Sequence, residues 1–125
     1  MKQIDILIID DEIKFADMLS RRLSLRDITC RACYDGLSGI QWVKENSGAA
    51  TLILLDLKLP DMYGTQVLAH IKELDPAVPV YIITGHGTRE DEKECLAQGA
   101  AEFIHKPVSI EKITTLLTHV RGEVQ

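Results

Sequence analysis

The sequence predicts an α/β fold: a doubly wound sheet of five parallel strands alternating with five helices, in a single domain over residues 1–125. Three observations carry that expectation. Short runs of branched apolar residues recur along the chain, and two of them, Ile4 to Ile9 and Thr51 to Leu55, are too apolar for strands with one wet face. Between the runs lie segments whose apolar residues recur three or four apart, which is helix spacing. Each strand–helix unit takes about 20–25 residues, the length of a right-handed βαβ crossover.

Taken in order, Ile4 to Ile9 is a strand buried on both faces, and Asp10-Asp11-Glu12 ends it. Ile13 to Leu25 is a helix, with Phe15, Leu19 and Leu23 on one stripe. Ile28 to Tyr34 is a shorter strand, turned by Asp35-Gly36 into a second helix marked by Leu37, Ile40 and Val43, which fades at Asn46-Ser47-Gly48. Thr51 to Leu55 is the third strand and runs into Asp56. Leu59 to Gly64 is a loop by its Pro, Asp and Gly content, and the helix carrying Val67, Leu68 and Ile71 closes at Asp75-Pro76. Val78 to Ile83 is a strand with Pro79 near its start, where a missing donor is tolerated. After Thr84-Gly85-His86-Gly87, the span Thr88 to Gln98 is helical but strongly polar. Ala101 to Ile104 is the fifth strand, and Ser109 caps a last helix bearing Ile110, Ile113, Leu116, Leu117 and Val120.

Composition narrows the function. The formal net charge of -5 opposes a broad nucleic-acid-binding surface, which needs a basic field to displace counterions. No segment approaches the roughly 18–20 apolar residues of a membrane span, and the N-terminus enters a strand directly, unlike a signal peptide. A cytoplasmic location is the expectation. Cys30 and Cys33 form a C-x-x-C, but a separation of three on a strand puts the thiols on opposite faces, so packed free thiols are expected.

Doubly wound sheets bind their ligands beyond the carboxyl ends of the strands. In this chain those ends carry Asp10 and Asp11, Asp56, Thr84, and Lys106 after His105. Carboxylates crowded into one crevice repel one another unless a cation joins them, and hard oxygen ligands on a partly open site suit Mg2+. The pair Asp10-Asp11 suits the metal, which leaves Asp56 as the nucleophile. Phosphoryl oxygens arriving at Asp56 could be met by the cation, by Lys106 and by the Thr84 hydroxyl. Singly, each residue has an ordinary explanation: a helix cap for Asp10 or Asp11, a turn residue for Asp56 and Thr84, a solvated side chain for Lys106. Helix capping gives no reason for Thr and Lys at the other two strand ends, so the joint occurrence decides.

These pieces resemble the receiver domain of two-component response regulators over essentially the whole chain. The matching segments are Ile-Ile-Asp-Asp-Glu (8–12), Leu-Leu-Asp-Leu-Lys-Leu-Pro-Asp-Met (54–62), Ile-Ile-Thr-Gly-His-Gly (82–87) and Phe-Ile-His-Lys-Pro (103–107). The resemblance implies a flavodoxin-like sheet in the order 2-1-3-4-5 and phosphotransfer from a sensor histidine kinase, or a phosphotransfer protein, to Asp56. It implies direct Mg2+ ligation by Asp11, Asp56 and the Lys58 backbone carbonyl, with Asp10 acting partly through water, and a cis Lys106-Pro107 bond. In the implied switch, Thr84 moves toward the phosphoryl group and Phe103 turns inward from solvent, although an ordinary core aromatic reads equally well at 103. The polar helix from Thr88 to Gln98 fits a mobile, partner-reading surface or a plain solvated helix. Tyr63 departs from the small or acidic residue many relatives carry, and suggests a more covered site. Lys58 and His86 stand at positions that influence aspartyl-phosphate lifetime, which stays open. His70, His105 and His119 lack metal-ligand spacing.

Rival readings fit less well. A flavodoxin-like cofactor binder needs a Ser/Thr/Gly-rich phosphate loop where this chain has Asp-Asp-Glu. A hydrolase of the haloacid-dehalogenase type carries its nucleophile after the first strand; the expectation is therefore not an enzyme, beyond catalysing its own phosphorylation and dephosphorylation. The full residue set argues against a degenerate receiver. No output domain follows Gln125, and Arg121 to Gln125 lies where a linker could begin, so a stand-alone regulator or an excised domain is expected, with homodimerisation on phosphorylation left open.

Overall fold

The computed structural model describes residues 3–122; Met1, Lys2 and most of the expected linker segment, residues 123–125, lie outside it. The elements alternate as expected: β1 (Ile4–Ile9), α1 (Ile13–Ser24), β2 (Cys30–Cys33), α2 (Gly36–Glu45), β3 (Ala50–Leu55), α3 (Gly64–Leu74), β4 (Val80–Thr84), α4 (Arg89–Ala97), β5 (Glu102–His105) and α5 (Ile110–Arg121). All five strands are parallel and ordered β2-β1-β3-β4-β5.

The alternation of strand side chains builds two cores on one sheet. Leu7, Ile9, Ile53, Leu55, Val80, Ile82 and Phe103 face α2, α3 and α4, where they meet Val43, Val67, Leu68, Ile71 and Cys95. Ile6, Ile8, Leu52, Leu54, Tyr81 and Ile83 face α1 and α5, where they meet Ala16, Leu19, Leu23, Ile113, Leu116 and Leu117. Cys33 belongs to the first core and Cys30 packs on the second, so the C-x-x-C thiols are split by the sheet, and all three cysteines are free.

Several boundaries differ from expectation for local reasons. The second strand starts at Cys30 rather than Ile28, because the Ile28 amide turns back to the Leu23 carbonyl (3.1 Å) and Asp27 takes a positive φ of 60°. The fourth starts at Val80 and keeps Thr84: Pro79 donates nothing, though its carbonyl accepts from the Ile53 amide at 3.0 Å. The fifth shifts by one residue to Glu102–His105, with His105 opposite Thr84. Ser109 caps α5 as expected, accepting from the Lys112 amide at 3.0 Å. At α4, Thr88 and Asp91 form a reciprocal capping box, which the sequence reading did not include.

Candidate functional site

Backbone ladders run past the strand ends and place the polar residues. The Asp10 amide donates to the Cys33 carbonyl (3.0 Å), the Asp56 amide to Ile9 (2.9 Å), and the Lys106 amide to Thr84 (2.9 Å). Each site residue thus inherits the rigidity of the sheet beneath it. Leu55 pairs with Ile82, so Thr84 ends β4 one position beyond the level of Asp56.

The structure brings Asp10, Asp11 and Asp56 together, each offering a carboxylate oxygen within 4.8 Å of the others. Asp10 and Asp56 are buried, at 3% and 4% exposure, while Asp11 is exposed. Neither Asp10 nor Asp11 caps α1. That position belongs to Glu12, whose side chain makes no cap hydrogen bond and turns to the Lys106 ammonium instead. Asp10 accepts from the Glu12 amide at 2.9 Å, and Asp56 from its neighbour, the Leu57 amide, at 2.7 Å.

Lys106 reaches into this cluster from beyond β5. Its Nζ lies 2.9 Å from Asp10, 3.6 Å from Asp56, and 4.4 Å over the Phe15 ring. The Lys106-Pro107 bond is cis. Burial pulls the lysine down, but its hydrogen bonds to Glu12 and Asp10 and the charges of Asp10 and Asp56 outweigh that and hold the ammonium above its ordinary value. Asp10 moves the other way from a well-paired carboxylate. Burial raises it to about 6, despite the hydrogen bond from Lys106. The asymmetry is physical: one ammonium gains from several carboxylates, whereas buried Asp10 holds only a share of that ammonium. Glu12 is lowered, chiefly by its hydrogen bond to Lys106.

Thr84 is fully buried, and its Oγ1 accepts from the His86 amide at 3.2 Å. Phe103 is only 8% exposed and sits in the core with α4, the position of a core aromatic, which is one of the two readings the sequence left open. Gly87 allows this, since a Cβ there would stand 2.3 Å from the ring's Cζ. Lys58 is exposed and its backbone pairs with Tyr63 across the loop after β3. Gly64 closes that loop: its amide donates to the Leu57 carbonyl at 2.6 Å, and a Cβ would stand 2.7 Å from the Asp56 carbonyl oxygen. All four histidines are exposed, and His70, His105 and His119 take no part in the carboxylate cluster.

Some participants escaped the sequence reading. Glu12 follows the paired aspartates directly, yet nothing in the chain shows that it turns to a lysine 94 residues away. Asp61 accepts from the Gly36 and Leu37 amides, at 2.8 Å each, and so caps α2 from the loop after β3. Phe15 looked like a plain core residue of its helix. Long-range partners of this kind leave no periodic mark.

The donor set fits a small hard cation: carboxylates only, two of them buried, clustered beside a single ammonium that cannot neutralise them all.

Comparison with known proteins agrees with this geometry. The family model described as the response regulator receiver domain matches residues 6–118. The transcriptional regulatory protein ZraR of Escherichia coli strain K12 is 31% identical over 114 residues, which is 91% of this chain and 25% of that protein. An NtrX-like putative response regulator of Rickettsia conorii is 30% identical over 118 residues, which is 94% of this chain and again 25% of the other. The chain therefore spans about a quarter of the length of these curated relatives. Among solved structures, a CheY-like receiver domain protein from Methanospirillum hungatei JF-1 superposes with a TM-score of 0.86 at 28% identity, covering 97% of this chain and 98% of that one. The receiver domain of NtrX from Brucella abortus gives 0.83 at 29% identity, covering 96% and 100%.

Proposed function

Because the chain belongs to the response regulator receiver domain family, we propose that Asp56 is its phosphoacceptor, taking a phosphoryl group from a sensor histidine kinase or a phosphotransfer protein. One observation carries the assignment. Asp56 is the buried carboxylate at the end of a central strand, within 4.8 Å of Asp10 and Asp11 and 3.6 Å from the Lys106 ammonium.

In the transfer, an Asp56 carboxylate oxygen attacks phosphorus, the bond from phosphorus to the donor imidazole nitrogen breaks with its electron pair going to that nitrogen, and the ring, protonated on its other nitrogen, leaves as neutral imidazole; an acyl phosphate remains on Asp56. Asp10, Asp11, Asp56 and the Lys58 carbonyl would hold Mg2+, which when bound neutralises the crowded carboxylates and the incoming phosphoryl oxygens. Lys106, poised between Asp10 and Asp56, exchanges a carboxylate for a phosphoryl oxygen. Thr84 offers its hydroxyl from the adjacent strand end, and Phe103, buried in the core on the side of α4, is its partner in the switch. The output is a two-state switch that repacks the face of α4, β5 and α5 and so controls an output domain or a separate partner, with homodimerisation as one readout. Beyond its own phosphorylation and dephosphorylation the domain turns over no substrate, acts without direct nucleic-acid or membrane contact, and works in the cytoplasm. Among the described residues, no helix is long and apolar enough to cross a membrane.

Incubation with Mg2+ and acetyl phosphate, followed by intact-mass measurement, tests the assignment. One base-labile adduct of a single phosphoryl mass is expected on the wild type and none on Asp56→Asn. An adduct that persists in the variant would refute the acceptor. Multiple turnover of a generic phosphomonoester would refute the non-enzymatic reading.

A further inference from the structure

Three carboxylates meet the Lys106 ammonium: Asp10 at 2.9 Å, Asp56 at 3.6 Å, and Glu12 by a direct hydrogen bond. The same ammonium also stands over the Phe15 ring, 4.4 Å from its centroid. Glu12 and Phe15 are three residues apart at the start of α1, the spacing that stacks side chains on one face of a helix, and both reach one cation. Farther along that stripe Leu19 and Leu23 are fully buried, while Phe15 is half-buried and packs only partly against the α1–α5 core. Burial of apolar area, which accounts for the two leucines, accounts for Phe15 in part. The lysine side chain is 13% exposed, so little water is left to solvate its charge, and an aromatic face counts for more there than at an open surface.

We propose that Phe15 is a positioning residue for the phosphorylation of Asp56, its ring face holding the Lys106 ammonium at the crevice where a phosphoryl oxygen arrives. The inference rests on the acceptor reading of Asp56 and adds a residue that acts only through Lys106. The ring and the carboxylates hold the cation by different means. A carboxylate accepts one of the ammonium's N–H bonds and so competes with an incoming oxygen for that donor. An aromatic face attracts the cation through its quadrupole and asks for no directed N–H. The ring can therefore fix the position of the ammonium while its donors are given to oxygen. A lysine stem has four rotatable bonds, and each conformer removed beforehand is one the transfer step need not remove.

The test is the rate at which acetyl phosphate with Mg2+ phosphorylates the protein, followed by intact mass at low donor concentration. Phe15→Leu keeps an apolar side chain and removes the ring face, and should slow the reaction about threefold to tenfold. Phe15→Tyr restores the face and should recover most of that loss. A merely structural ring is told apart in a Lys106→Met background, itself slower: there Phe15→Leu should change the rate by less than about twofold, since no ammonium is left to hold. Metal-free protein gives a reading that needs no reaction. The Lys106 ε-methylene protons, beside a ring face, should resonate upfield of those of an ordinary lysine, and the displacement should vanish in Phe15→Leu. Equal rates for wild type and Phe15→Leu, an undiminished effect in the Lys106→Met background, a loss in Phe15→Tyr as large as in Phe15→Leu, or undisplaced ε-methylene protons would each overturn the positioning role and leave the acceptor in place. No adduct on the wild type sinks the acceptor reading and the positioning role together.

Discussion

At Asp10 a carboxyl group lies in the protein interior with only part of one ammonium to balance it, and its pH response follows. In the unfolded chain the group ionises near its ordinary value of 3.8, and in the fold only near about 6. Below the lower value both states are protonated; between the two only the unfolded chain has lost the proton; above the higher value both are ionised. As pH rises through that window the Asp10 contribution therefore turns against the metal-free fold, by about 1–3 kcal/mol. Depressed carboxyls such as Asp61 and Asp91 act in the opposite sense, so the isolated effect is best read from a variant. Asp10→Asn should raise metal-free stability at pH 7–8 by about 1–3 kcal/mol in urea titrations, and the gain should vanish near pH 4. The same substitution should weaken Mg2+, and wild-type Mg2+ affinity should fall as pH drops below about 6, because binding must displace the Asp10 proton. Gly87 is the other residue with a sharp consequence. Gly87→Ala should cost about 1–3 kcal/mol by crowding the Phe103 ring, and most of that cost should disappear in a Phe103→Ala background. The principal site residues were legible in the sequence because each ends a strand. Glu12, Phe15 and Asp61 were not, because their roles depend on partners brought close only by folding.

Among the elements, α4 stands apart. The other helices each bury at least three residues against the sheet, while α4 buries only Cys95 and depends on the Thr88–Asp91 capping box for its start. Hydrogen exchange should find α4 the least protected helix, and Thr88→Ala should open it further at a cost of about 1 kcal/mol. The strands show why the element order could be read in advance while some ends could not. Branched apolar runs announce a buried parallel strand, as in β1 and β3. The start of β2 is set by the turn that returns the Ile28 amide to the Leu23 carbonyl, and the end of β5 by a partner far along the chain, since His105 pairs with Thr84. Local composition carries neither.

For the whole molecule, the carboxylate cluster makes stability depend on the cation that would relieve it. Mg2+ at tenfold above its dissociation constant should stabilise the fold by about 1.4 kcal/mol, seen as a rise in melting temperature that chelation reverses and Asp56→Asn diminishes. The sheet also divides the molecule. From Ile6 to Ile9 and from Leu52 to Leu55, the even-numbered residues Ile6, Ile8, Leu52 and Leu54 belong to the α1–α5 core, and the odd-numbered Leu7, Ile9, Ile53 and Leu55 to the core beneath α2, α3 and α4. Substitutions on opposite sides share few neighbours, so their costs should add rather than compensate. Over generations the two halves are then free to drift on separate schedules: a lineage can rework the side that carries α4 without repairing the side that carries α1, and a single strand records both histories in alternate letters.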